Sequence, residues 1–253
     1  MHVCRWTGLS DRARSIWGKT NRVDDSEWLP LYVHMADSAA VATKIWDTWV
    51  PQGTKDVIAR DLGGDEKLAR KLAVFLAGVH DIGKATPVFQ AKPITFGAEA
   101  ESFAWKAEKA GLPMIAGLRD CNHLTHPIAG ETILEGYLMR VHGWDRKTAR
   151  QYVCVVGGHH GTPPDKSKVE DAGLEKRRSG LDSTEWVAAQ DELIDFIAEF
   201  LISMWTIFRY PHATNHHLER YRRFQYLNVF RESLSLSTLP CRRSTPFQPS
   251  LIP

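Results

Sequence analysis

The sequence predicts an all-α fold, and three observations carry that expectation. Apolar residues recur at spacings of three and four along several segments of helical length. The ends of those segments carry proline and glycine where helices start and stop. No segment alternates apolar and polar residues as a half-buried strand does. The chain has 253 residues, 43% of them hydrophobic, which is enough to bury one large core.

Taken in order, residues 1–28 are polar, with Trp6, Trp17 and Trp28 interspersed as packing residues. Gly18-Lys19-Thr20 looks like the end of a phosphate-binding loop, but the glycine required five positions earlier is Ala13, which rejects that reading. Residues 31–49 form an amphipathic helix with Leu31, His34, Ser38, Val41 and Ile45 on one face, ended by Pro51 and Gly53. His34 therefore points inward, and Asp37, one turn on, either orients an imidazole or faces water. A second helix spans 66–79, with Leu68, Leu72, Phe75, Leu76 and Val79 at helical spacing. His80 follows Leu76 by four and also faces the core. Its neighbour Asp81 adds a carboxylate, and side chains adjacent on a helix diverge by about 100°.

Spacing predicts further helices over 98–110, 128–141, 146–156 and 186–208. His126 lies at the mouth of the predicted 128–141 segment, because Pro127 occupies a starting position; His123 is close enough to rival it. Gly157-Gly158 closes the next helix, directly before His159-His160. Residues 165–184 are charged and read as a solvated loop. Residues 1–208 thus form one domain. Residues 209–253 form an atypical tail without glycine or lysine but with seven arginines, a net of +5 against −3 for the body. Such a break points to an altered or frame-shifted C-terminus.

A near-neutral body is no general polyanion binder, so any nucleic-acid contact must be local. Cys4, Cys121, Cys154 and Cys241 show no paired spacing, which argues against a zinc finger or a disulfide framework and fits the cytoplasm. There is no signal peptide, and no apolar run long enough for a membrane span. What remains is a series of histidines at helix ends and core faces: His34, His80-Asp81, His126 and His159-His160. Imidazoles with a carboxylate suit Mn, Fe, Co, Ni or Zn better than Ca or Mg. Two such ions roughly 3.5–4 Å apart would clamp a phosphodiester and activate a water for attack.

In that order the residues resemble the HD metal-dependent phosphohydrolase superfamily. Within it, the chain looks like the HD nuclease domain of the CRISPR-associated type I helicase–nuclease. The matching residues are Ile16-Trp17-Gly18-Lys19-Thr20, then Leu29-Pro30-Leu31 with His34, Asp37, Ser38 and 39–42, the run His80 to Gln90, His126 to Glu131, and Gly157 to Pro164. Phe89-Gln90 sets this branch apart from nucleotide-cleaving HD enzymes. The resemblance implies a single HD-type helical domain with its metal site between converging helices. It makes His34, His80 and Asp81 ligands of one ion, with Asp81 bridging to a second ion on His126, His159 and His160. Lys84 neutralises the scissile phosphate, so Asp81 and Lys84 are the catalytic pair. The implied activity is cutting of single-stranded DNA displaced by an RNA-guided surveillance complex, beside a helicase subunit or domain.

Two departures stand out. No helicase follows, which reads as a stand-alone subunit, an excised domain or a truncated product. The family's late aspartate is replaced by Ser203-Met204-Trp205, with Asp182, Asp191 and Asp195 as poor substitutes. Two other functions stay open: an HD phosphohydrolase acting on nucleotides, and a catalytically weak metal-binding recruitment module.

Overall fold

A computed structural model describes residues 8–21, 27–93, 102–114 and 123–200, excepting the side chains of 177 and 178. Among them the architecture is helical, with one two-stranded antiparallel ribbon. The helices are α1 (Asp11–Ser15), α2 (Leu31–Thr48), α3 (Gln52–Arg60), α4 (Glu66–Gly78), α5 (Pro87–Gln90), α6 (Ala104–Lys109), α7 (His126–His142), α8 (Arg146–Gly157), α9 (Lys166–Leu174), α10 (Lys176–Ser179) and α11 (Thr184–Phe200). The ribbon pairs β1 (Trp17–Thr20) with β2 (Trp28–Pro30). No described helix is long and apolar enough to cross a membrane.

Two helix pairs make the body. One is α2 against α4, the other α7 against α8, and α11 lies across α2, α4 and the 3-10 turn Ile82–Lys84. One core joins them through fully buried Leu31, Met35, Phe75, Ile82, Leu134, Trp186, Leu193 and Ile197. Caps begin the helices as their sequences demand. Asp65 accepts from the Leu68 N–H, Asp145 from Thr148 and Thr86 from Phe89; each such cap stabilises by about 1 kcal/mol. Gly143 ends α7 with φ 68°, a left-handed conformation that a side chain disfavours.

The structure departs from the sequence expectations in four places. Pro51 is the N-cap of α3 as well as the end of α2, since its fixed φ suits a helix start. Val41 is 39% exposed, because the later turns of α2 bury Ala39, Ala42 and Trp46 instead. The charged stretch read as a loop contains α9 and α10; α9 buries only Val169 and Ala172, too few to print a helical period. The strands were missed because three or four residues cannot display alternation, and β1 is irregular between Trp17 and Lys19. The tail, Ser203-Met204-Trp205 and Trp6 lie outside the described residues, as do residues 98–101 of the segment whose helix here is α6.

The turn after α4 meets the first turn of α7 backbone to backbone. A Cβ added to Gly83 would lie 1.8 Å from the His126 carbonyl oxygen and 2.5 Å from the Gly130 nitrogen. Gly83→Ala is therefore expected to push α7 off the turn at a cost of about 3 kcal/mol, the upper end for overpacking, because neither obstacle is a flexible side chain. A urea denaturation midpoint close to that of the unaltered protein would show that α7 can retreat without loss.

Candidate metal centre

The histidines arrive from four directions. His34 stands on the inner face of α2 and is 2% exposed. His80 and Asp81 do not lie on a helix: they occupy the turn between α4 and the 3-10 turn, and both are buried. His126 is the first residue of α7, and His159 and His160 lie in a short 3-10 turn after α8.

These side chains converge on one carboxylate. Asp81 Oδ2 lies 2.7 Å from His34 Nε2 and 3.1 Å from His80 Nε2. Its other oxygen, Oδ1, lies 3.4 Å from His126 Nε2 and 3.5 Å from His159 Nε2. The Nε2 atoms of His126 and His159 are 3.2 Å apart, and those of His126 and His160 2.9 Å. Two groups able to hold an ion result, His34–His80–Asp81 and His126–His159–His160.

The donor atoms fit a cation. His80 Nδ1 is 2.8 Å from the Ala77 carbonyl and His159 Nδ1 2.6 Å from that of Val156. A carbonyl only accepts, so Nδ1 carries the proton and the neutral ring turns its Nε2 lone pair to the centre. His80 Nε2 has no hydrogen-bond partner although it is buried against a carboxylate oxygen. Two acceptors facing each other repel unless a positive charge lies between them.

Burial holds the remaining imidazoles in the ligating form. It pushes His34 down to about 4 against the pull of Asp81, and His126 down to about 3. His160 is lowered for the same reason, with His159 adding to the effect. For Asp81 burial alone would raise the carboxyl, but the Lys84 ammonium and the hydrogen bond from His34 outweigh it, and it sits well below its usual range.

The resemblance puts Lys84 on the scissile phosphate; the structure turns it inward. Its ammonium lies 2.8 Å from Asp81 Oδ2 and donates to the Gly18 carbonyl at 2.9 Å. Gly18 sits at the irregular step of β1, where its carbonyl is free for that bond. Gln90, fully buried, binds the same region together. Its amide donates to the Trp17 and Lys84 carbonyls at 3.0 and 2.9 Å, and its oxygen accepts from the Trp17 N–H at 3.1 Å. Sequence reasoning used Gln90 only as a marker of the branch; its position four residues after Thr86 on an apolar helix was the available signal. His123 is not at the centre, because it pairs with Glu175 at 2.8 Å on the surface. Asp37 is exposed. Asp191 pairs with Arg140, and Asp195 accepts from the Tyr137 hydroxyl, so neither reaches the His34 group.

Comparison with known proteins shows the family. A family model described as Cas3, HD domain, matches residues 17–227. The chain belongs to the Cas3 HD-domain family. It is 30% identical over 184 residues to the CRISPR-associated nuclease/helicase Cas3 of Streptococcus thermophilus, covering 67% of this chain and 19% of that one. It is 29% identical over 187 residues to the CRISPR-associated endonuclease/helicase Cas3 of Thermus thermophilus, covering 74% and 18%. This HD domain thus spans less than a fifth of those relatives' length. The crystal structure of a CRISPR-associated protein superposes with a TM-score of 0.65 at 25% identity, over 92% of this chain and 28% of that one.

Two outcomes follow, the first for metal-free protein and the second for metal-loaded protein. His34 and His126 both fall below the ordinary 6.5, so the unfolded chain binds more protons between that value and about 3–4. Their contribution to stability is complete above 6.5 and lost as the pH falls, so the urea midpoint in chelator should drop from pH 7 to pH 5; a flat profile would contradict the burial argument. Removing the His126 imidazole should cost one metal equivalent by elemental analysis, whereas His123→Ala should retain the full complement.

Proposed function

We propose that this domain is a metal-dependent nuclease that hydrolyses phosphodiester bonds of single-stranded DNA in CRISPR interference. The observation that carries the reading is the division of one buried carboxylate, with Asp81 Oδ2 turned to His34 and His80 and Oδ1 to His126 and His159. His34, His80 and Asp81 would hold one divalent ion; His126, His159 and His160 would hold the other, with Asp81 shared. The donor set favours Mn, Co, Ni or Fe, with Zn acceptable. When bound, such ions supply charge neutralisation for the phosphate and acidification of a water.

The chain's own residues do the rest. Asp81 fixes the spacing of the two groups, and Lys84 keeps its carboxylate ionised and oriented. Ala77 and Val156 hold the two buried imidazoles in one tautomer. His160 is exposed and His126 partly so, while His34 and His80 are closed off, so the phosphate enters on the His126–His160 side. Kinship with nuclease/helicase proteins supports a helicase, on the same or another chain, as a partner; an RNA-guided surveillance complex is the further partner that the resemblance implies.

The test is cleavage of circular single-stranded DNA by metal-stripped protein with Mn, Co, Ni, Fe, Zn and Mg restored singly. Cutting is expected with the transition metals and should fall about a thousandfold in Asp81→Ala. Bound metal by elemental analysis without any cutting would falsify the nuclease reading and leave a recruitment module. Turnover of mononucleotides with inert DNA would favour a nucleotide phosphohydrolase.

A further inference from the structure

Beside the open edge of the metal centre lies a cluster of rings and lysines that the chemistry above does not use. Phe89 contacts the His126 ring edge-on, with centroids 5.7 Å apart. Trp17 packs on Phe89 at 4.6 Å and reaches Phe103 at 6.2 Å, and Phe103 reaches Trp28 at 6.1 Å. Trp17, Phe89 and Phe103 are buried and form a fixed pedestal. Next to it stand two further tryptophans, half-buried Trp28 and Trp105, which is 54% exposed. The Lys106 ammonium lies 4.6 Å from the Trp28 ring and 4.5 Å from that of Trp105. Lys92 sits 4.8 Å from Phe89, nearer the centre.

Packing alone does not account for this surface. A core tryptophan hides its ring, whereas Trp105 leaves more than half of itself in water on a short helix whose N-cap Phe103 and inner residue Ala107 are already buried. Flat apolar faces beside ammonium groups suit a ligand with both π-faces and negative charge. Single-stranded nucleic acid has both, and it is bound without sequence preference by aromatic stacking plus a basic groove. A duplex conceals its base faces and cannot use such rings.

We infer that Trp105 and Trp28, with Lys106 between them and Lys92 towards the metal centre, form a stacking platform for single-stranded DNA that delivers the strand to the His126–His160 side. This rests on the nuclease reading for its substrate, and it assigns residues that the metal chemistry does not. Bases stack on Trp105 and Trp28 while Lys106 and Lys92 pair with backbone phosphates. The ring contacts that run through Phe89 to His126 keep the platform and the centre in one rigid register. Base identity is not read, because every base offers a π-face.

The test measures binding apart from cutting. Affinity of the full chain for a fluorescein-labelled oligothymidine is read by anisotropy in chelator, with a duplex of equal length as control. Trp105→Ala should weaken single-strand binding about tenfold and Trp105→Phe should restore most of it. Lys106→Ala should reduce the slope of log affinity against log salt by about 0.7. Trp49→Ala, which removes a tryptophan 73% exposed at the far end of α2, should change nothing. In the metal-loaded protein, Trp105→Ala should raise KM for circular single-stranded DNA with kcat little altered. Equal affinity of Trp105→Ala and unaltered protein, or no single-strand binding at all, overturns the platform. Cutting by the unaltered protein judges the nuclease reading separately: a protein that cuts equally well in both forms keeps that reading and loses the platform. A protein that binds through Trp105 yet never cuts keeps the platform and loses the nuclease.

Discussion

A carboxylate buried among imidazoles is the constraint on which this structure turns. Asp81 is 2% exposed, and taking an ionised group out of water costs several kcal/mol unless partners replace the solvent. Lys84 supplies the countercharge at 2.8 Å and His34 lies at 2.7 Å on the same oxygen. Lys84 must itself be held, and it is, by the Gly18 carbonyl at the irregular step of β1. Gln90 then ties β1 to the carbonyl of Lys84. The small ribbon, which contributes little to the core, thereby acts as a strut for the charge at the centre.

The second requirement is close approach. Four elements can meet at one carboxylate only if the turn after α4 touches the start of α7, and side chains would keep those backbones apart. Gly83 meets the His126 carbonyl region directly, and Gly130 packs under Val156 with its Cβ position 3.1 Å from that side chain. These two glycines join the α2–α4 pair to the α7–α8 pair. They also set the distance between the two histidine groups, because Asp81 and His126 ride on the two sides of that contact.

The two groups differ in their access to water. His34, His80 and Asp81 are closed in, which favours retention of whatever they bind; His126 and His160 are the open edge. An aromatic pedestal adjoins that edge, through Phe89 on His126. Closed ligands on one side and an accessible rim on the other give the centre a direction, set by where the helices end.

Much of this was legible in the residues themselves. Helical spacing located α2, α4, α7, α8 and α11 from Trp186 onward, since long amphipathic patterns repeat often enough to be read. The histidines and Asp81 stood out as an ordered set of ligand types. Short elements escaped: α3, α9 and the strands are too brief or bury too little to leave a period. Sequence alone determined which side chains are available and which helices carry them, because ligand chemistry and helical period are local properties. Only tertiary packing decided that His126 reaches Asp81 while His123 turns to Glu175, that Lys84 faces inward to Gly18, and that Gln90 bridges β1 and the turn. Those choices depend on backbones distant in sequence approaching within contact distance, a condition set by the whole core and written in no single segment.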